Sequence, residues 1–113
     1  MRRFVVLVFG LTPSVWPQAD FFETRIRPVL VANCYSCHSA KKASGGLALD
    51  SKAGVDRGGS RGTAISTGNP DGSLLYRAVS YRDPELKMPP SGKLPDAVIA
   101  DFREASRVRS GRN

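Results

Sequence analysis

Apolar residues recur at helical spacing in three stretches of the chain, with a glycine-rich interval between the first and the second. From Asp20 to about Asn33, Phe22, Ile26, Val29 and Leu30 fall on one helical face. Asp20 can cap this helix, and Glu23 follows three residues later as in a capping box. Pro28 lacks a backbone donor and crowds the preceding turn, so the pattern predicts a kink or a restart there. The second stretch opens at Asn69-Pro70, with Asn as cap and Pro at the first helical position. Leu74, Leu75, Ala78 and Val79 form its apolar face, and it ends before Pro84. The third opens at Pro95 and lines up Val98, Ile99, Phe102 and Ala105. Between the first two, Ser44–Ser73 holds eight of the eleven glycines and reads as loops and turns. Leu47, Leu49, Ala64 and Ile65 are the residues that this loop can bury. It lacks the Gly-Lys-Ser/Thr ending of a phosphate-binding loop. Glu85-Leu86-Lys87-Met88-Pro89-Pro90 reads as an extended loop stiffened by proline. The class is therefore all-α, with about three to four short helices and one long glycine-rich loop.

The N-terminus changes this picture. Arg2 and Arg3 precede an apolar run from Phe4 to Leu11, and polar, proline-containing sequence follows as far as Gln18-Ala19. This is the layout of a secretory signal peptide, and the run is too short to span a bilayer. Residues 1–19 are thus expected to be a signal and 20–113 the folded domain, exported to the periplasm or another extracytoplasmic space, with no integral membrane span after cleavage. The only Trp, Trp16, lies in the part expected to be lost. The 113-residue chain is basic, with 17 Lys+Arg against 10 Asp+Glu. Arg103, Arg107, Arg109 and Arg112 cluster at its end. No nucleic-acid motif or aromatic stacking stripe accompanies them, so a solvated tail is expected and no nucleic-acid partner.

The chemistry concentrates in Cys34-Tyr35-Ser36-Cys37-His38, which contains both cysteines and the only histidine. C-x-x-C-H is the attachment signature of c-type haem. Two intervening residues let both thiols reach the two vinyl groups, and the adjacent imidazole is carried under the iron. Three rival readings exist. A thioredoxin-like pair needs a βαβ setting, which the periodicity does not offer. A structural zinc site needs four ligands, and these three residues have no fourth. A plain disulfide is possible in an exported protein. Haem iron in electron carriers takes a second axial ligand, typically Met or His. No second His exists, and of the two methionines Met1 lies in the expected signal. Met88, fifty residues after His38 and fixed by Pro89-Pro90, is left as the distal ligand. Lys41, Lys42, Lys87 and Lys93 flank these ligands and can steer an acidic redox protein.

These residues carry a resemblance to a known family, the planctomycete-type cytochrome c domain, a branch of the class I cytochrome c fold. It extends from about Phe21 to Asp101. The chain is similar through Ile26-Arg27-Pro28-Val29-Leu30, Asn33-Cys34-Tyr35-Ser36-Cys37-His38 and Gly45-Gly46-Leu47-Ala48-Leu49-Asp50. Ala64-Ile65, Gly68-Asn69-Pro70, Ser73-Leu74-Leu75, Lys87-Met88-Pro89-Pro90 and Gly92-Lys93-Leu94-Pro95 complete the set. The resemblance implies a small helical domain wrapped around one covalent haem c, thioether links at Cys34 and Cys37, His38 as proximal and Met88 as distal ligand. It departs from the family at Thr67, where Pro is usual, and at Phe102–Arg109, where family members continue an apolar Leu-x-x-Trp-Ile run. On that ground the last helix is expected to be truncated, as in a module cut from a longer exported protein. The expected function is that of a monohaem c-type cytochrome passing single electrons, not an enzyme. The alternatives are a structural or sensory haem module and a thiol–disulfide oxidoreductase using Cys34 and Cys37.

Overall fold

The computed structural model describes Arg3 and residues 21–108. Its first helical run shows what Pro28 does to the predicted helix. Phe22–Ile26 form a π-helical turn, and α1, Arg27–Asn33, follows at once with Pro28 in its first turn. At the joint, Arg27 N–H donates to the Phe22 carbonyl, five residues back. Proline has no N–H to contribute to the ladder, and a widened turn absorbs the gap without unwinding the chain. The expected restart is therefore present, one residue early. Phe22, Ile26 and Leu30 are buried, and Val29 packs against the same core. The stripe continues at its four-residue interval into Cys34, which is also buried. The expected signal segment (Arg3 aside), the capping residue Asp20, and Arg109 and Arg112 of the basic tail lie outside the described residues.

The interval Ser44–Ser73 contains more helix than its glycines suggest, which corrects the loop-only reading. α2, Lys52–Arg57, lies inside it, flanked by 3₁₀ turns at Ser44–Gly46 and Pro70–Gly72. Ser51 Oγ accepts the Gly54 N–H at 3.0 Å and caps α2. Gly58, at φ 70, ends it in a conformation that side chains disfavour. Only Gly54 and Val55 of the helix are buried, so it has no apolar period to betray it. Gly54 has a packing role: a β-carbon there would stand 2.3 Å from the Ala48 carbonyl oxygen. That close approach seats α2 on the strip carrying Ala48 and Leu49, both buried. Ala64 is buried as well, and Leu47 and Ile65 pack partly against the core.

The second predicted helix is divided. Asn69 Oδ1 accepts the Gly72 N–H at 3.1 Å, so it caps the 3₁₀ turn and not the helix proper. Ser73 then turns extended (φ −90, ψ 110), and α3 is Leu74–Ser80. The cause is the fully buried Ser73 hydroxyl, which accepts the Ser66 N–H at 2.9 Å and lies 2.9 Å from the Asn69 carbonyl that it can donate to. Leu75, Tyr76, Ala78 and Val79 are buried, and α3 ends at Tyr81 in the left-handed region. After Pro95 comes α4, Asp96–Arg107, burying Phe102, Ala105 and Ser106. α4 packs on α3 and on the π turn, and its Ser106 carbonyl accepts the Gly68 N–H at 2.9 Å. The described residues thus form an all-helical unit with four α-helices. Their only β-type pairings are isolated bridges, His38 with Ala43 and Gly59 with Gly62.

The Gly54–Ala48 contact predicts that Gly54→Ala lowers the unfolding free energy by about 1–3 kcal/mol, the usual cost of overpacking. Urea unfolding checks this, and an unchanged midpoint would contradict the close approach.

Candidate functional site

Cys34 caps α1, its N–H donating to the Leu30 carbonyl at 2.8 Å. The Cys37 and His38 N–H groups both donate to the Cys34 carbonyl, at 3.1 and 2.8 Å. One helical-type turn therefore issues both sulfurs and the imidazole. A second segment clamps this turn. Ser44 N–H donates to the Cys37 carbonyl at 2.9 Å and Leu49 N–H to the His38 carbonyl at 3.0 Å. Asp50 receives the Ala40 N–H on both carboxylate oxygens, at 3.1 and 3.0 Å. The imidazole joins the same clamp, with Nδ1 3.3 Å from the Leu47 carbonyl oxygen. A carbonyl only accepts, so Nδ1 carries the proton and the neutral ring keeps its lone pair on Nε2. Gly45 and Gly46, at φ 63 and 74, make the tight bend that swings Leu47 back toward His38.

The two thiols are not bonded to each other, Cys34 being buried and Cys37 half-buried. This excludes the plain disulfide in the described state. Burial first, and Cys37 second, push the Cys34 thiol up to about 11 from its ordinary 9.0. Reactive cysteines of redox enzymes need the opposite shift and sit at helix N-termini, whereas Cys34 stands at the C-terminal end of α1. The oxidoreductase reading loses its support here. Among the described residues, no group of three His, Cys, Asp or Glu side chains converges as a metal site, which leaves the zinc reading equally bare.

Met88 arrives on a different support. Its N–H donates to the Ala78 carbonyl in α3 at 3.0 Å, and its side chain is half-buried. The Tyr81 hydroxyl donates to the Pro89 carbonyl, and the Gly92 N–H closes back on the same oxygen at 3.3 Å. The loop predicted to be stiffened by proline is thus also tied to the end of α3. The 34–38 turn hangs from α1, and both supports share one core through Leu30, Cys34, Leu75, Tyr76 and Val79. Arg27 braces the first support, forking onto Glu23 at 2.5 and 2.7 Å and reaching the Tyr35 hydroxyl at 3.2 Å. Of the lysines read as flanking the site, Lys41, Lys42 and Lys87 are exposed. Lys87 lies over the Tyr81 ring, and Lys93 pairs with Asp96 at 3.3 Å. A cleft of about 460 Å³ beside α3, walled by Tyr76, Arg77, Arg82 and Asp83, contains none of the four predicted site residues.

The sequence reading missed the groups that aim these side chains. Leu47 and Ala78 act through backbone carbonyls, which carry no residue-type signal. Only the Gly45-Gly46 pair hinted that a segment turns back on the motif.

Residues 34–92 match the family model described as Planctomycete cytochrome C. The matched span begins at the first cysteine and ends just past the Met88 loop, so it includes the clamp, α2, α3 and all four predicted site residues. No curated protein and no solved structure matches the chain.

The buried Cys34 thiol yields a chemical prediction. In the unmodified chain carrying Cys37→Ser, alkylation of Cys34 by iodoacetamide requires the thiolate. Its rate should therefore keep climbing past pH 9, because burial, the larger cause of the raised Cys34 pKa, remains in this variant while the lesser contribution of Cys37 is gone. A rate that levels near pH 9 would contradict the burial.

Proposed function

Because the chain belongs to the planctomycete cytochrome c family, we propose that it is a monohaem c-type cytochrome carrying single electrons outside the cytoplasm. The observation that carries this reading is the 34–38 turn, with two unpaired thiols and an imidazole committed at Nδ1 to the Leu47 carbonyl. That donor set fits haem c. Cys34 and Cys37 would hold the group by thioether bonds, each S–H adding across one vinyl group with sulfur on one carbon and hydrogen on the other. His38 Nε2 and the Met88 thioether would be the protein ligands to its iron. When bound, haem c supplies an iron that gains and loses one electron.

The remaining work belongs to the chain. The Leu47 carbonyl holds the imidazole in one tautomer and orientation and strengthens Nε2 as a donor. The Ala78 carbonyl and the Tyr81 hydroxyl hold the Met88 loop. Leu30, Leu49, Leu75 and Val79, all buried in one cluster, keep water from the interior. With both His38 and Met88 as ligands, the iron would have no place for a substrate, and this supports carriage over catalysis. Exposed Lys41, Lys42 and Lys87 favour an acidic redox protein as partner. Export rests on the Arg2-Arg3 and Phe4–Leu11 pattern. No described helix is long and apolar enough to cross a membrane.

Expression with haem-maturation machinery tests this. A haem spectrum that survives acid extraction is expected, and Cys34→Ser with Cys37→Ser should abolish it. A folded, colourless product from the parent chain overturns the reading. Met88→Ala should remove the sulfur–iron absorption band while the covalent haem stays. A band that persists unchanged excludes Met88 as the ligand. Ready binding of carbon monoxide by the parent would point to the sensory module.

A further inference from the structure

Among the described residues Tyr81 is the single non-glycine with a positive φ, 60°. It stands just after α3, where helices usually place glycine. A bulky residue held there costs free energy, and such positions persist where the side chain has a task. While its N–H donates to the Ala78 carbonyl at 3.4 Å, its side chain makes two contacts to the loop that carries Met88. Its hydroxyl donates to the carbonyl of Pro89, the residue after Met88. Its ring lies under Lys87, the residue before Met88, with Nζ 5.8 Å from the centroid. The left-handed turn aims the ring so that it brackets Met88 on both sides. The backbone of Met88 itself is held by the Ala78 carbonyl at 3.0 Å, one helical turn before Tyr81.

We propose that Tyr81 is a positioning residue for Met88, latching the loop to the end of α3 and setting how readily the thioether leaves its place. The proposal rests on the reading of Met88 as an axial ligand. The latch works through an equilibrium. An added ligand such as imidazole can occupy the position of Met88 only in molecules whose loop has opened. Its apparent affinity is therefore its intrinsic affinity multiplied by the open fraction. Removing one hydrogen bond that exists only in the closed loop raises that fraction by the corresponding factor.

The test is imidazole titration of the oxidised holoprotein, following loss of the sulfur–iron band. Tyr81→Phe should bind imidazole about three- to ten-fold more tightly than the parent, the range of a single hydrogen bond. Tyr81→Gly relieves the backbone and removes both contacts, so it should fold and bind imidazole at least as tightly as Tyr81→Phe. Ser51→Ala, which removes the cap of α2 and touches neither Tyr81 contact, lowers stability by a comparable factor and should leave imidazole affinity at the parent value. Equal affinity in parent and Tyr81→Phe overturns the latch while leaving Met88 in place. An affinity gain in Ser51→Ala matching that of Tyr81→Phe also overturns it, reducing Tyr81 to general stability. A parent lacking the sulfur–iron band overturns the latch together with the assignment of Met88.

Discussion

The bond between His38 Nδ1 and the Leu47 carbonyl is the constraint on which the rest of the site depends. At 3.3 Å it is not a short contact, but it acts on the single imidazole of the chain. It removes one of two tautomers and one rotational freedom from that ring. Everything around it keeps Leu47 in range. The Cys37 and His38 carbonyls receive the Ser44 and Leu49 N–H groups, Asp50 ties down Ala40, and Gly45 and Gly46 supply the bend. The stretch Gly45–Asp50 is thus a counterpart to the cysteine motif, and the two make one structural unit although six residues separate them.

The core transmits this constraint to the rest of the fold. Phe22, Ile26, Leu30 and Cys34 form one buried line, so the first cysteine is also the last residue of the packing stripe of α1. A chemical group on Cys34 is therefore delivered into the core by the same periodicity that folds the helix. On the other side, α3 and α4 pack together and α4 returns to the π turn. Phe102, 1 % exposed, anchors that return. Ala105 and Ser106 of the same helix are buried beside it. The haem ligands proposed at the two ends of the site then rest on one cluster, with a loop tied to each end.

Much of this was legible in the sequence, for reasons that differ by element. The stripes of α1, α3 and α4 showed because each buries one face of a regular period. The cysteine motif showed because its chemistry depends on residue type and spacing. α2 was hidden, since it buries only Gly54 and Val55 and its cap signals, Ser51 and Gly58, sat among many other glycines. The break at Ser73 was hidden because a buried hydroxyl and not a proline bends the chain. The clamp was invisible in detail because its acceptors are main-chain carbonyls, and any residue could provide them. The sequence pattern runs the second helix up to Pro84 and does not single out Tyr81, which only its backbone conformation sets apart.

The account turns on the state of one ring, and nuclear magnetic resonance reads it directly. In the reduced holoprotein with ¹⁵N-labelled histidine, His38 should show a protonated Nδ1 whose hydrogen exchanges slowly with solvent, and an Nε2 that carries no hydrogen. An Nδ1 without a proton, or one that exchanges as fast as in free imidazole, would contradict the clamp and the presentation of Nε2 that follows from it.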